Sequence, residues 1–188
     1  MALLSRHHVL PFALCAALAA TSVTANAQIS DAKKPFAALS ASALSLRDSV
    51  VAMARGQIGT RYKLGGIAPN SALDCSGLVK YVMSALDLVL PRTARQQATV
   101  GTAVKKDLAS LKPGDLLTFG RGKRISHIAI YVGNGRMVHA STSKHSVIET
   151  TLNARSSLIR QWKGVRRLVA GTNSDLRDSL LAIADTLR

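Results

Sequence analysis

Cysteines and long apolar stretches are both scarce in this sequence. The 188 residues include two cysteines, Cys15 and Cys75. Cys15 follows Phe12-Ala13-Leu14 inside an apolar run, whereas a lipoprotein cysteine follows a small-residue motif. Beyond the N-terminal region, no run is long and apolar enough to form a transmembrane helix. These shortages argue against a lipid anchor at Cys15 and predict a protein with no transmembrane segment.

The N-terminus has the pattern of a secretory signal peptide. A polar head that contains Arg6 precedes an apolar run over 9–20, which is too short to span a bilayer comfortably. Ala25-Asn26-Ala27 then fits the small-x-small pattern of a signal-peptidase site. We therefore expect a signal peptide over 1–27, and an exported protein that resides in the periplasm or in the extracellular space or cell wall.

Cleavage before Gln28 would leave 161 of the 188 residues, enough for one domain with a proper core. It would also leave Cys75 as the one thiol. Exported proteins normally pair their cysteines, so a lone cysteine is either buried and inert or reactive. The residues around Cys75 favour the reactive alternative.

Acidic residues are few relative to basic ones. Ten Asp and Glu face 25 Lys and Arg, a formal charge of +15 that loss of Arg6 with the signal peptide lowers to +14. Such a charge favours anionic partners, namely nucleic acid, anionic lipid or an acidic wall polymer. Export makes nucleic acid the poorest of these candidates, so we expect no nucleic-acid partner. The plain alternative is that the basic charge only aids solubility.

The first half of the mature chain predicts helices. Residues 28–45, rich in Ala and Ser, indicate a flexible lead-in. Apolar positions at helical spacing predict a helix over 46–58. A second helix is predicted to begin at Asp74, whose carboxylate suits an N-cap. Cys75 then lies in its first turn, on an apolar stripe continued by Leu78, Val82 and Leu86. The polar stretch 91–101 indicates either a short helix or a groove-lining loop.

The second half predicts strands, over 116–119, 127–132, 137–140, 146–150 and 165–170. Helices followed by strands predict an α+β domain, with N-terminal helices packed on one face of a mainly antiparallel sheet. An amphipathic C-terminal helix is predicted within 171–188, with Leu176, Leu180, Ile183 and Leu187 on one face. We expect this helix to pack on the domain; a docking helix for a partner is the alternative.

Cys75 and the histidines carry the candidate chemistry. A helix N-terminus lowers the pKa of a thiol, and a nearby imidazole completes its activation. His127 and His139 are predicted on neighbouring strands, so one can act as base and the other can orient it. His145 lies in a polar loop. A chance pairing of core histidines is the plain alternative, and a zinc site is disfavoured because its ligands would be dispersed in the sequence.

Three segments surround the candidate cysteine and histidines. They are Asp74-Cys75-Ser76-Gly77-Leu78-Val79, His127-Ile128-Ala129-Ile130-Tyr131-Val132-Gly133 and Met137-Val138-His139-Ala140-Ser141. These segments resemble the motifs of NlpC-type cell-wall cysteine peptidases. Further matches, in the same order and spacing, are Tyr62 with Gly65-Gly66, Pro91-Arg92-Thr93 with Gln96, and Lys112-Pro113-Gly114-Asp115. The resemblance runs from about residue 48 to residue 170 and marks 46–170 as a cysteine peptidase domain.

The resemblance implies a papain-like α+β fold and a Cys–His–His triad without metal or cofactor. In that triad Cys75 is the nucleophile, His127 the general base and His139 the polar orienter. It also implies hydrolysis of peptidoglycan stem peptides at the bond between D-glutamate and a diamino acid. Tyr62 matches a tyrosine near the reacting carbonyl, where its hydroxyl and the Cys75 N–H would stabilise the oxyanion.

Asp74, Ser76 and Arg92 complete the set of expected cleft residues. Asp74 either faces substrate or only caps its helix, and Arg92 either meets a stem carboxylate or is a surface charge. The same triad would also serve an amidase or an acyltransferase, and a non-catalytic cell-wall-binding module is the alternative outside enzymes. No appended wall-binding module is visible in the sequence. We expect a monomer that is targeted by its charge, by its tail or by a partner.

The catalytic interpretation makes a geometric prediction about one hairpin. Side chains alternate along strands, so the loop after Val132 decides which faces His127 and His139 occupy. A two-residue loop at Asn134-Gly135, which the local sequence favours, would place the two histidines on opposite faces. A three-residue loop, Gly133-Asn134-Gly135, would place them on the same face. We therefore predict the longer loop, as a type I turn closed by a G1 bulge with Gly135 in the left-handed region.

Overall fold

A computed structural model of the chain describes residues 44–153 and 156–169. The signal peptide predicted over 1–27 and the C-terminal helix predicted within 171–188 lie outside the described residues. So does most of the predicted lead-in. Its last two residues, 44 and 45, are helical in the structure, so the boundary drawn before residue 46 was wrong at that point.

The described part of the chain contains three α-helices. The first, α1, covers 44–56, and the second, α2, covers Cys75–Ser84. The third, α3, is a single turn over Ala94–Gln97 with a capping box, so the polar stretch 91–101 contains the short helix that was one of its two predicted forms. Short 3₁₀ turns lie at Leu108–Ser110 and Ile159–Gln161.

The sheet has nine strands in the described ranges, and they are antiparallel except for one pair. In chain order they are β1 Arg61–Tyr62, β2 Ile67–Ala68, β3 Ala72–Leu73, β4 Thr102–Val104, β5 Leu116–Arg121, β6 Arg124–Gly133, β7 Arg136–Ser141, β8 Ser146–Thr151 and β9 Trp162–Arg167. Their order in the sheet is β2-β3-β1-β8-β7-β6-β5-β9-β4, and β1 and β3 form the parallel pair. The strand predicted over 165–170 was misplaced, because β9 starts at Trp162 and ends at Arg167.

The central strands are buried on both faces. On one face, Val50 of α1 and Leu78 of α2 pack with Ile128, Ile130 and Val138. This arrangement confirms that the N-terminal helices pack on one face of the sheet. On the other face, Ala129 and Tyr131 pack in a second cluster that Leu158, Ile159 and Trp162 help to cover. Strand β6 therefore lies between two apolar layers.

A hydrogen-bonded cap and a close backbone contact fix the start of α2. Asp74 caps the helix, since one of its carboxylate oxygens accepts from the Gly77 N–H at 2.7 Å. Gly77 packs directly on the Gly66 carbonyl: a Cβ added at Gly77 would lie 2.1 Å from that oxygen. Only glycine allows this approach. The contact between the two backbone segments therefore fixes the position of the helix start and of Cys75.

The hairpin between β6 and β7 reaches the expected geometry by a different route. Asn134 and Gly135 form a two-residue turn with φ values of 52° and 66°, closed by the pair Gly133↔Arg136. The predicted type I turn with a G1 bulge was therefore wrong, although Gly135 does lie in the left-handed region. A β-bulge between Tyr131 and Gly133 then shifts the register by one residue, so that Tyr131 pairs with Met137.

The bulge affects the faces of the two histidines in the same way as the predicted three-residue loop would have done. Beyond the bulge, on the side away from the turn, a shift of one residue reverses which side chains of the two paired strands share a face. Nε2 of His127 consequently lies 3.0 Å from Nδ1 of His139. The prediction that both imidazoles share a face of the sheet is confirmed.

Candidate functional site

Cys75 lies at the first position of α2, where the thiol is half-buried against the sheet. Burial is the main influence on it and raises the pKa of the thiol, and the neighbouring carboxylate of Asp74 adds to this. Backbone N–H groups, those of Ile128, Ser76 and Cys75 itself, lower the pKa but do not offset the burial. The expectation of a pKa lowered by the helix N-terminus is thus wrong, because the site is drier than the helix position alone suggests.

His127, which is half-buried, and His139, which is buried, form a hydrogen-bonded pair in a cavity that Cys75 also lines. Their rings meet edge to face, with centroids 5.0 Å apart and an interplanar angle of 85°. Burial, with a smaller contribution from His139, lowers the pKa of His127 to about 3, and burial lowers the pKa of His139 to about 4. Both imidazoles are therefore neutral at neutral pH. The ring of Phe119 packs on His127, with centroids 5.9 Å apart, and holds it from the opposite side.

Thr150 extends this pair to a third polar group. Its Oγ1 lies 3.3 Å from Nε2 of His139, so both ring nitrogens of His139 have a polar partner. Sequence reasoning missed Thr150. The strand register was the signal that could have found it, since Met137 pairs with Thr150 and His139 lies two residues further along β7.

Asp74 and Arg92 form a second polar cluster next to Cys75. Nη2 of Arg92 lies 2.7 Å from Oδ2 of Asp74, and Nη1 donates to Oδ1 at 3.0 Å and to the Ser76 hydroxyl at 2.9 Å. Burial raises the pKa of Asp74, but the Arg92 guanidinium and the N–H groups of Gly77 and Gly65 outweigh it and hold the pKa below its usual range. Arg92 is therefore not a loose surface charge, since two hydrogen bonds join it to Asp74.

Two adjoining cavities meet at Cys75. One, of about 340 Å³, is lined by Tyr62, Cys75, His127 and His139 among others. The second, of about 690 Å³, shares Tyr62 and Cys75 with the first. It also contains the other three expected cleft residues, which are Asp74, Ser76 and Arg92. The structure thus brings all seven sequence-predicted site residues to one cleft, with the thiol at its middle. His145 lies outside it, exposed in a turn.

Several further cleft residues were missed by sequence reasoning, and three of them are polar residues near the two cavities' junction or in the larger cavity. Ser126 lines both cavities, and Arg95 and Arg124 line the larger one. Arg95 comes from α3 and Arg124 from the first position of β6. No spacing in the sequence links them, because 28 residues and several strand pairings separate the two arginines.

The raised pKa of Cys75 gives an expectation for the free protein. Because only the thiolate is alkylated, the rate of reaction with iodoacetamide should keep rising with pH beyond the ordinary titration range of a thiol. Intact mass measured over time between about pH 5 and about pH 10 checks this. A rate that reaches its plateau below about pH 7 would indicate a resting thiolate–imidazolium pair, contrary to the burial of both groups.

The model of the NlpC/P60 family matches residues 59–167. The chain belongs to the NlpC/P60 family. Among curated relatives, the gamma-DL-glutamyl hydrolase of Bacillus subtilis is 41% identical over 125 residues, which are 64% of this chain and 30% of the relative. The probable endopeptidase NlpC of Escherichia coli is 46% identical over 89 residues, 46% of this chain and 56% of the relative. The chain thus spans about a third to a little over half of these two family members.

Solved NlpC/P60 structures share the fold. A family protein from Bacillus cereus superposes with a TM-score of 0.61 at 29% identity, over 66% of this chain and 40% of the other. The peptidoglycan hydrolase RipB of Mycobacterium tuberculosis gives 0.58 at 28% identity, over 69% of this chain and 68% of the other. These likenesses confirm the predicted α+β, papain-like class. Within 44–153 and 156–169, no helix has the length and apolar character needed to cross a membrane.

Proposed function

We propose that the chain is an exported cysteine endopeptidase that hydrolyses peptidoglycan stem peptides, with one peptidase domain behind a cleaved signal peptide. The 3.0 Å contact between His127 and His139, in the cavity that Cys75 lines, carries the proposal. It matches the nucleophile–base–orienter set from which acyl-transfer sites are built. Cys75 is the nucleophile in this account, His127 the base and His139 the residue that orients the base.

The hydrogen bonds are consistent with one direction of proton transfer. If His139 donates from Nε2 to the Thr150 hydroxyl, its Nδ1 is free to accept from Nε2 of His127. A neutral His127 that donates from Nε2 has its lone pair at Nδ1, available to the thiol proton. The imidazolium formed during attack keeps the same bond to His139, which stabilises it without any rearrangement.

The proposed hydrolysis then proceeds in two steps, acylation of Cys75 and hydrolysis of the thioester. As the Cys75 sulfur attacks the carbonyl carbon, its proton passes to His127, which returns it to the leaving amine as the C–N bond breaks. Water, deprotonated by the same imidazole, then hydrolyses the thioester and restores the thiol. The Cys75 N–H and the Tyr62 hydroxyl are the candidate oxyanion donors. Burial, Cys75 and Asp74 raise the pKa of Tyr62, which keeps its hydroxyl protonated and able to donate.

Two relatives support the choice of substrate. The Bacillus subtilis relative is a gamma-DL-glutamyl hydrolase, and RipB is a peptidoglycan hydrolase. One bond would suit both activities. It is the amide between the γ-carboxyl of D-glutamate and the diamino acid of a peptidoglycan stem. We propose this bond as the site of cleavage.

Mass spectrometry of wall fragments tests the proposal. Purified stem peptides incubated with the signal-free protein should yield products with a new amine on the diamino acid, and an isomer joined through the α-carboxyl should resist cleavage. Release of the intact stem from its sugar would instead indicate an amidase. Binding to wall without any new amine would indicate a wall-binding module.

A further inference from the structure

The two sides of the cleft differ in charge. The smaller cavity, which we call the hydroxyl flank, is lined by serine, threonine and glutamine side chains and by the two neutral histidines, and the described residues that line it include no Asp, Glu, Lys or Arg. The larger cavity, the basic flank, is lined by Arg92, Arg95 and Arg124, and Asp74 is the one acidic residue among the described residues of its lining. Within 44–153 and 156–169, a substrate that lies across Cys75 therefore meets neutral side chains on one side and arginines on the other.

The three arginines of the basic flank are not equivalent. Arg92 is neutralised by Asp74 at 2.7 Å, so this pair adds no net charge to the cavity. Arg95 and Arg124 are exposed, and their side chains make no hydrogen bond or ion pair within the described residues. The basic flank thus carries two uncompensated guanidinium groups, presented from two different elements of the fold.

Planar guanidinium groups match carboxylates in geometry and bind them by paired hydrogen bonds. We propose that Arg95 and Arg124 bind free carboxylates of the substrate chain, so that the protein selects γ-glutamyl peptides whose α-carboxyl is unmodified over the same peptides in amidated form. This inference rests on the proposed function and names the substrate class of the same cleft. The γ-linked residue is the natural ligand, since its α-carboxylate remains free beside the scissile amide.

Matched soluble peptides test the selection directly. A stem peptide with a free glutamate α-carboxylate and its carboxamide analogue are compared with wild type and with Arg95→Gln, Arg124→Gln and the double variant. Wild type should favour the carboxylate peptide. Because exposed ion pairs contribute little each, every single variant should lower the ratio of kcat/KM between the two peptides about threefold, and the double variant about tenfold. The change should lie in KM for the carboxylate peptide.

Lys163→Gln is the matched control. Lys163 is exposed on β9 and lines neither cavity, so this variant removes the same charge at a distance from the cleft and should leave the ratio unchanged. Added salt should lower the ratio for wild type toward that of the double variant, because screening weakens exposed charge pairs. Equal use of both peptides by wild type, or a preference that survives in the double variant, would overturn the inference.

Binding separates this inference from the proposed chemistry. Calorimetry with Cys75→Ser protein measures the affinity for each peptide without turnover, and a weaker affinity for the carboxylate peptide in the double variant would support the basic flank even if no cleavage were found. A separate wall polymer is the other source of anionic groups. If the double substitution weakened binding to whole sacculi but not to either soluble peptide, the arginines would recruit the wall and the inference would be wrong.

Discussion

Replacing Cys75 with serine is expected to abolish hydrolysis while the fold stays intact. The substitution changes one atom and little volume, and the buried cap and core around it are untouched. A serine hydroxyl is far harder to deprotonate than a thiol, and burial, with a smaller contribution from His139, lowers the pKa of the His127 base to about 3. We expect turnover to fall by about 10⁴-fold or more, as is typical when a catalytic nucleophile is lost.

Three measurements check this variant. Muropeptide release should disappear, the midpoint of thermal unfolding should match wild type, and iodoacetamide should no longer label a protein that starts at Gln28, in which Cys75 is the one thiol. Retained hydrolysis would remove Cys75 from the mechanism. Lost hydrolysis together with a lower unfolding midpoint would instead show that the substitution damaged the fold.

Replacing Gly77 with alanine should destabilise the protein strongly. The added Cβ would lie 2.1 Å from the Gly66 carbonyl oxygen, a contact with backbone that no side-chain rotation relieves. That oxygen also accepts from the Asp74 N–H at 3.0 Å, so moving it would disturb the cap of α2. We expect a loss of about 3 kcal/mol in the free energy of unfolding, and a displaced Cys75 in whatever fraction remains folded.

Gly56→Ala provides the control for that loss. Gly56 lies at the last position of α1, and a Cβ added there would meet nothing within 4 Å. Alanine in a helix with open space should raise the free energy of unfolding by up to about 1 kcal/mol. Denaturant unfolding of both variants gives the comparison. If Gly77→Ala proved as stable as Gly56→Ala, the close packing of α2 against the Gly66 carbonyl would be contradicted.

Local patterns were enough to predict where the reactive groups lie along the chain. The short carboxylate of Asp74 ahead of an apolar stripe located the start of α2 and placed Cys75 in its first turn. The alternation of strands around an Asn-Gly turn located His127 and His139 on neighbouring strands. Their shared face also followed, since a base and its orienter must meet, and the 3.0 Å contact agrees with that requirement.

What could not be predicted depends on contacts between segments distant in sequence. Val132 is the extra residue of the bulge that sets the hairpin register, and neither it nor Gly133 has a local signal stronger than the Asn134-Gly135 turn. The pairing of Arg92 with Asp74 requires knowledge of how the loop after α2 folds back. The pKa of Cys75 was predicted in the wrong direction because desolvation by the sheet is a property of the assembled site, not of the helix start.

The most direct measurement of the central claim is the mass of the protein during turnover. If Cys75 attacks the stem amide, acid-quenched samples taken in the first turnovers should show a fraction of the protein heavier by the acyl part of the substrate. Peptide mapping should locate this mass on Cys75, hydroxylamine should remove it, and the serine variant should not acquire it. Steady hydrolysis with no adduct on Cys75 at any quench time would contradict the account.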